Sequence, residues 1–257
     1  MDNQVGDMAD VDPFSMFFRG DVEDLEECLT VPSSERQQYF LESISSSIFI
    51  RQLPSKGISF KLWPVANTLV NLLDSYGSKP DSMSPLFNLL NSCGDKRPLR
   101  ILELGSGTGI VGIVAAAALG ANVIVTDLPH VLPNMAYNID LNVEVLKAHG
   151  GNVEAAPLRW GEIEDMETIG RDFDMILASD VVYHDHLYEP LLETLRYFLL
   201  RGEKKIVFVM SHVKRWKKES SFFKKANKLF HTEVIHNDVP SNGSRVGALV
   251  YRFVGKR

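Results

Sequence analysis

The chain of 257 residues carries 27 Lys and Arg against 33 Asp and Glu, a formal charge of −6, with 45% hydrophobic and 23% charged residues. That is the composition of a soluble globular protein long enough to bury a large core. The charge is unevenly spread: residues 1–200 hold 13 basic and 29 acidic side chains and residues 201–257 hold 14 and 4, which excludes both a uniformly acidic surface and a globally basic coat for nucleic acid.

Residues 1–27 hold nine acidic side chains against Arg19 and few apolar ones, and residues 1–45 read as an acidic, partly disordered extension. The expected domain runs over 46–257. It opens on a short hairpin, with strands over 47–53 and 58–60 joined by Pro54-Ser-Lys-Gly57. Trp63-Pro64 then starts a helix with an apolar stripe at Val65, Leu69, Leu72 and Leu73. The stretch 75–98, rich in Ser, Pro, Gly and Asn, reads as a surface insertion.

From residue 99 strands and helices alternate. Strands are predicted over 99–104, 122–126, 152–157, 173–179 and 205–211, and helices over 109–119, 131–142 and 187–200. This alternation predicts an α/β fold: a Rossmann-like, mostly parallel sheet with helices on both faces. The end departs from it, with a helix over 214–231 and then strands over 232–237 and 246–254. The turn-rich Pro240-Ser-Asn-Gly243 between those strands makes them an antiparallel pair.

Cys28 and Cys93 form no Cys-x-x-Cys pair, and His184 and His186 have no third ligand beside them, so neither a disulfide framework nor a metal site is expected. The acidic MDNQVGDMAD start is unlike a basic signal peptide, and the apolar run over 109–121 is too short to span a bilayer, which takes about 20 residues. The expectation is a cytoplasmic or nuclear monomer with no membrane partner and no feature that calls for nucleic acid.

The run Ile101-Leu-Glu-Leu-Gly105-Ser-Gly107-Thr-Gly109-Ile-Val-Gly112 joins the first parallel strand to its helix. Glycines there let backbone approach a ligand, and a helix N-terminus offers free N–H groups. Asp127 follows Gly107 by twenty residues, the spacing of a carboxylate that holds ribose hydroxyls. Glu103 decides between cofactors. A carboxylate at the strand end repels a pyrophosphate and attracts the amino and sulfonium groups of S-adenosylmethionine, which is therefore favoured over NAD.

The stretch LELGSGTGIVGIVAAAALGANVIVTDLPHVLPNMAYNIDLN resembles the cofactor half of the seven-β-strand, non-SET protein methyltransferases, most closely the methyltransferase-like protein 21 group of lysine methyltransferases. Leu62-Trp63-Pro64, Leu158-Arg-Trp160-Gly161 and Ser179-Asp180-Val-Val-Tyr183 extend the likeness over about residues 46–254. The resemblance implies a seven-stranded sheet with an antiparallel last strand, and S-adenosylmethionine-dependent methyl transfer to a lysine of a protein substrate. It implies that Trp63 lines the cofactor site, that Gly105, Ser106 and Gly107 wrap the methionine part, and that Glu103 and Gly109 also belong to the cofactor site. Asp127 would take the ribose hydroxyls, Trp160 the adenine face, and Ser179 would sit beside the cofactor. Asp180 and Tyr183 would carry the reaction, the carboxylate anchoring the ammonium and the phenol orienting it.

Asn138 and Asn142, one helical turn apart on one face, read as helix surface or helix-to-loop hydrogen bonds, not as direct ligands. Two other readings share the sequence: a methyltransferase acting on a small molecule or another side chain, and a non-catalytic cofactor-binding protein. The helix over 214–231 sets Lys214, Lys217, Lys218, Lys224, Lys225 and Lys228 on one arc and Trp216, Phe223, Ala226 and Phe230 toward the sheet, which suits an acidic partner or the acidic tail.

Overall fold

The structure, a computed structural model, describes residues 36–78, 86, 89–90, 97–239 and 247–256. The acidic tail, most of the 75–98 insertion and the 240–243 turn lie outside the described residues.

An antiparallel hairpin, β1 (Arg36–Leu41) and β2 (Ser46–Arg51), comes first, with Tyr39 opposite Ile48. The strand expected over 47–53 is thus the second strand of the hairpin, and its partner precedes it. Residues 58–60, expected as its second strand, form a 3-10 turn, as do residues 54–56. The compact unit accordingly begins at Arg36, not at residue 46. The strand 36–41 escaped notice because only Leu41 of its six residues is buried, so the apolar signal for a half-buried strand is faint.

The helix α1 (Ala66–Ser78) leads to the alternating region. There β3 (Arg100–Leu104), α2 (Ile110–Leu119), β4 (Asn122–Asp127), α3 (Leu132–Leu141), α4 (Val143–Ala148) and β5 (Asn152–Pro157) follow one another. Next come α5 (Ile163–Ile169), β6 (Met175–Ser179), α6 (Tyr188–Leu200), β7 (Val207–His212), α7 (Ser220–Leu229), β8 (Phe230–Asn237) and β9 (Leu249–Gly255). Seven strands form one sheet in the order β5-β4-β3-β6-β7-β9-β8. The first five are parallel, and the last, β9, lies antiparallel between β7 and β8.

Side-chain alternation on the strands builds two cores. Ile101, Val123, Val125, Leu177 and Val209 face α1, α2, α3 and the hairpin. Leu102, Leu104, Ile176, Phe208 and Phe253 face α6 and α7. Helix α2 (IVGIVAAAAL) is apolar all round and almost wholly buried, which fits a helix covered on every side.

Asn138 and Asn142 tie the hairpin to this frame. The Asn138 side chain accepts the Arg51 N–H (2.8 Å) and donates to the Arg51 carbonyl (3.2 Å). Asn142 does the same for Phe49, at 2.8 Å each way. Four helical residues rise about 6 Å and two strand residues about 6.7 Å, so two amides one turn apart match alternate residues of a strand edge. The pair stands in for a neighbouring strand.

The terminal helix is shorter than expected. Lys217–Glu219 form a 3-10 turn, α7 ends at Leu229, and Phe230 is already strand. Trp216 does not face the sheet; it is exposed, and Phe222 with Ala226 supplies the buried stripe of α7. Among the described residues no helix is long and apolar enough to cross a membrane.

Glu103 shares the Ile101 face of β3 and is buried beneath α2, where its carboxylate accepts the Gly112 N–H at 2.9 Å. A Cβ at Gly112 would stand 2.3 Å from Val125 and 2.8 Å from that carboxylate, so only glycine lets α2 descend this far. Burial pushes the Glu103 carboxyl up to about 8, against the single N–H and the Ser106 contact that pull it down.

Two outcomes are expected. Asn138→Ala leaves buried backbone groups of Arg51 and Thr108 unpaired and lowers stability by about 1–3 kcal/mol in urea unfolding. Because folded Glu103 keeps a proton that the unfolded chain has lost above its ordinary value of 4.5, stability falls as pH rises from about 5 to about 8. The loss is on the order of 3–5 kcal/mol at most, and Glu103→Gln flattens that part of the urea-unfolding pH profile.

Candidate active site

Strand order reverses between β3 and β6, whose connections run to opposite sides, and open parallel sheets place ligands at the carboxyl ends of such a pair. Three carboxylates gather there: Glu103 near the end of β3, Asp127 at the end of β4, and Asp180 just past β6.

The loop after β3 turns at Gly105 in the left-handed region (φ 62°), and a Cβ there would lie 2.9 Å from Trp160 and 3.1 Å from Val181. Glycine is therefore required, and the half-buried Trp160, carried by the turn after β5, lies directly on the loop. Ser106 is buried and points into the frame. Its N–H donates to the Thr126 carbonyl (2.9 Å) and its hydroxyl accepts the Thr126 N–H (3.0 Å), fastening the loop to β4. Gly109 caps α2 with a left-handed backbone.

Asp127 accepts the Gly107 N–H and the Leu128 N–H, each at 2.8 Å. Burial raises its pKa more than those two bonds lower it. Each oxygen retains a second lone pair for a hydroxyl donor. The 3-10 segment before α1 meets this loop through Ser59, whose carbonyl stands 3.0 Å from where a Gly107 Cβ would be, and meets the turn after β4 through Phe60, 6.1 Å from the His130 ring. Sequence reasoning singled out Trp63 instead. That indole is 38% exposed, donates to the Ile58 carbonyl (3.0 Å), and has the Lys61 ammonium 5.5 Å from its ring centre. Ser179 ends β6 half-buried, in register with Ser211.

Asp180 adopts φ 59°, a left-handed backbone uncommon outside glycine, while its N–H still donates to the Ser211 carbonyl (2.9 Å) and extends the β6–β7 ladder. Such a conformation costs on the order of 1–3 kcal/mol and survives where surrounding contacts fix it. Those contacts are strong. The Arg215 guanidinium donates to both carboxylate oxygens, at 2.7 and 2.6 Å, the bidentate geometry of a charged fork. Fully buried His212 lies 3.8 Å from Asp180 and 3.2 Å from the equally buried Glu219, which also accepts the Arg215 N–H (3.0 Å). Burial alone would raise the Asp180 pKa, but His212 and Arg215 outweigh it and hold the carboxyl below its ordinary value.

Tyr183 stands within the field of both Asp127 and Asp180. Burial and these two charges raise its phenol, so it keeps its proton at neutral pH. The structure thus brings Gly105 to Trp160 and Gly107 to Asp127, and sets Tyr183 where the charges of Asp127 and Asp180 both act on it. Arg215, His212 and Glu219 are not among the residues the sequence marks as a site: Arg215 and Glu219 fall inside the stretch expected as one basic helix, 214–231, and His212 in the link before it. Among the described residues no group of three or more His, Cys, Asp or Glu is arranged to hold a metal ion.

Comparison with known proteins bears on this arrangement. The chain is 32% identical over 179 residues to the protein-lysine N-methyltransferase rrg1 of Schizosaccharomyces pombe, covering 67% of this chain and 53% of that one. It is 35% identical over 176 residues to the protein-lysine methyltransferase METTL21E of Mus musculus, covering 68% and 64%. The chain therefore matches between about half and two thirds of the length of these curated relatives. Among solved structures, the SAM-dependent methyltransferase from Agrobacterium tumefaciens superposes with a TM-score of 0.51 at 16% identity, over 86% of this chain and 71% of that one, a likeness of fold. The profile described as lysine methyltransferase matches residues 43–229, from the hairpin turn to the end of α7, and the chain belongs to that family.

Proposed function

We propose that the chain is an S-adenosylmethionine-dependent methyltransferase that acts on a lysine side chain of a protein. The observation that carries this reading is Asp180: a buried, ionised carboxylate in a left-handed backbone, across the switch point from Asp127 and the glycine loop. The family model and the printed activities of the relatives support it.

The residues at the carboxyl edge fit the cofactor. Asp127 offers acceptor lone pairs for ribose hydroxyls, Trp160 an aromatic face beside Gly105, and the loop 105–109 close-lying backbone that side chains would fill. Trp63, in the turn before α1, and Ser179, the last residue of β6, are the residues we assign to the flanks of the same cofactor site. When bound, S-adenosylmethionine supplies a methyl group on a sulfonium sulfur. Glu103, poised near neutrality by burial, is the group whose ionisation a nearby cation favours.

A lysine ammonium has no lone pair, and removing its proton costs about 4–5 kcal/mol at neutral pH. Asp180 holds its pKa too low to be a strong base, so its task is to attract and orient the ammonium while the proton leaves to water. Tyr183, kept protonated, adds a hydroxyl donor and a ring face beside the same nitrogen.

Asp180→Asn keeps the shape of the side chain and removes its charge. Methyl transfer to protein, followed with labelled cofactor and a cell lysate, is expected to fall roughly 100-fold or more, the scale of lost alignment, while cofactor affinity in calorimetry changes little. Undiminished transfer by this variant would refute the assignment.

A further inference from the structure

Asp180 is not open to a substrate in this conformation. Its side chain is 5% exposed, and Arg215, 29% exposed, is its bidentate partner on the more open side. Arg215 belongs to the stretch Lys214-Arg-Trp-Lys-Lys218, four cations in five residues, with Trp216 51% exposed. Among the described residues Lys218 has Asp185 at 3.9 Å and the Trp216 ring at 5.9 Å, and no carboxylate lies within salt-bridge range of Lys214 or Lys217. Resting on the proposed lysine methylation, we infer that Arg215 is a specificity gate: the target lysine displaces its guanidinium from Asp180, and an acidic residue beside that lysine receives the guanidinium in exchange.

The physical argument is charge conservation in a partly dry site. Opening the pair without compensation leaves a buried carboxylate with the His212 ring 3.8 Å away and a guanidinium without its bidentate partner. A neutral amide next to the lysine cannot supply the second half of the exchange, whereas a carboxylate can, bidentately. The basic run 214–218 favours the same sign in the approaching segment. An acidic neighbour is therefore part of what the site recognises.

Two acetylated, amidated pentapeptides test this, Gly-Glu-Lys-Glu-Gly and Gly-Gln-Lys-Gln-Gly, titrated into the full chain saturated with S-adenosylhomocysteine. The wild type is expected to bind the glutamate peptide at least about tenfold more tightly, as a site closed about nine tenths of the time lowers apparent affinity by that factor. Arg215→Ala is expected to bind the glutamine peptide about tenfold more tightly than the wild type does, with the preference largely gone. Equal binding of the two peptides by the wild type, or loss of both by a folded Arg215→Ala, would overturn the gate and make Arg215 a positioning partner of Asp180. Should Arg215→Ala melt early, Arg215→Gln keeps a donor beside Asp180 and is read by the same outcomes. Label transfer from S-adenosylmethionine to lysate protein by the wild type is measured separately. Transfer without peptide preference sinks the gate alone, and preference without transfer sinks the methyltransferase reading alone.

Discussion

Three carboxylates are buried at the carboxyl edge of one sheet, and the cost of taking each from water shapes everything around them. The fold meets that cost in three ways. Glu103 has one backbone N–H and moves toward its neutral form. Asp127 has two backbone N–H groups, from Gly107 and Leu128, and keeps lone pairs on its outer side. Asp180 has a guanidinium, with a buried histidine behind it, and remains charged. These solutions require the glycine loop to press against α2 and β4, and they require the loop after β7 to fold back over β6.

The strand order explains why the three meet. Because β4 and β6 flank β3 and the connections diverge there, the ends of adjacent strands form the switch point at which open parallel sheets place their ligands. Asp127 and Tyr183 are close enough that the charge of one raises the pKa of the other, so the cofactor half and the reacting half share one electrostatic site. The hairpin, held by Asn138 and Asn142 through strand-like amide bonds, leads into the 3-10 segment that carries Ser59 to the glycine loop and Phe60 to His130 after β4. Helix α3, which follows Asp127, thus fixes the hairpin and, through the Asn138 bond to the Thr108 carbonyl, the glycine loop.

Much of this was legible in the sequence because it rests on local pattern. Continuous apolar strands, an all-apolar helix and a glycine-rich join specify a parallel sheet and its ligand edge, and β3 to β7 lie where the pattern put them within one or two residues. Strand β1 was missed because it is mostly exposed, and residues 58–60 were misread because three alternating residues suit a strand and a 3-10 turn alike. The helix over 214–231 failed for another reason. Lysines at helical spacing describe a solvated face, and nothing local reveals that Arg215 leaves the helix to meet a carboxylate 35 residues earlier. The ionic state of Glu103 was equally hidden, since it depends on how closely α2 packs, a tertiary fact.

The central claim is that this carboxyl edge is a site for S-adenosylmethionine organised around Asp127. Calorimetric titration of the full chain with S-adenosylmethionine, and in parallel with NAD, tests it most directly. The account predicts saturable one-to-one binding of S-adenosylmethionine that Asp127→Ala removes while the variant stays folded, and no comparable binding of NAD. Binding of NAD in preference, or S-adenosylmethionine affinity untouched by Asp127→Ala, would contradict it.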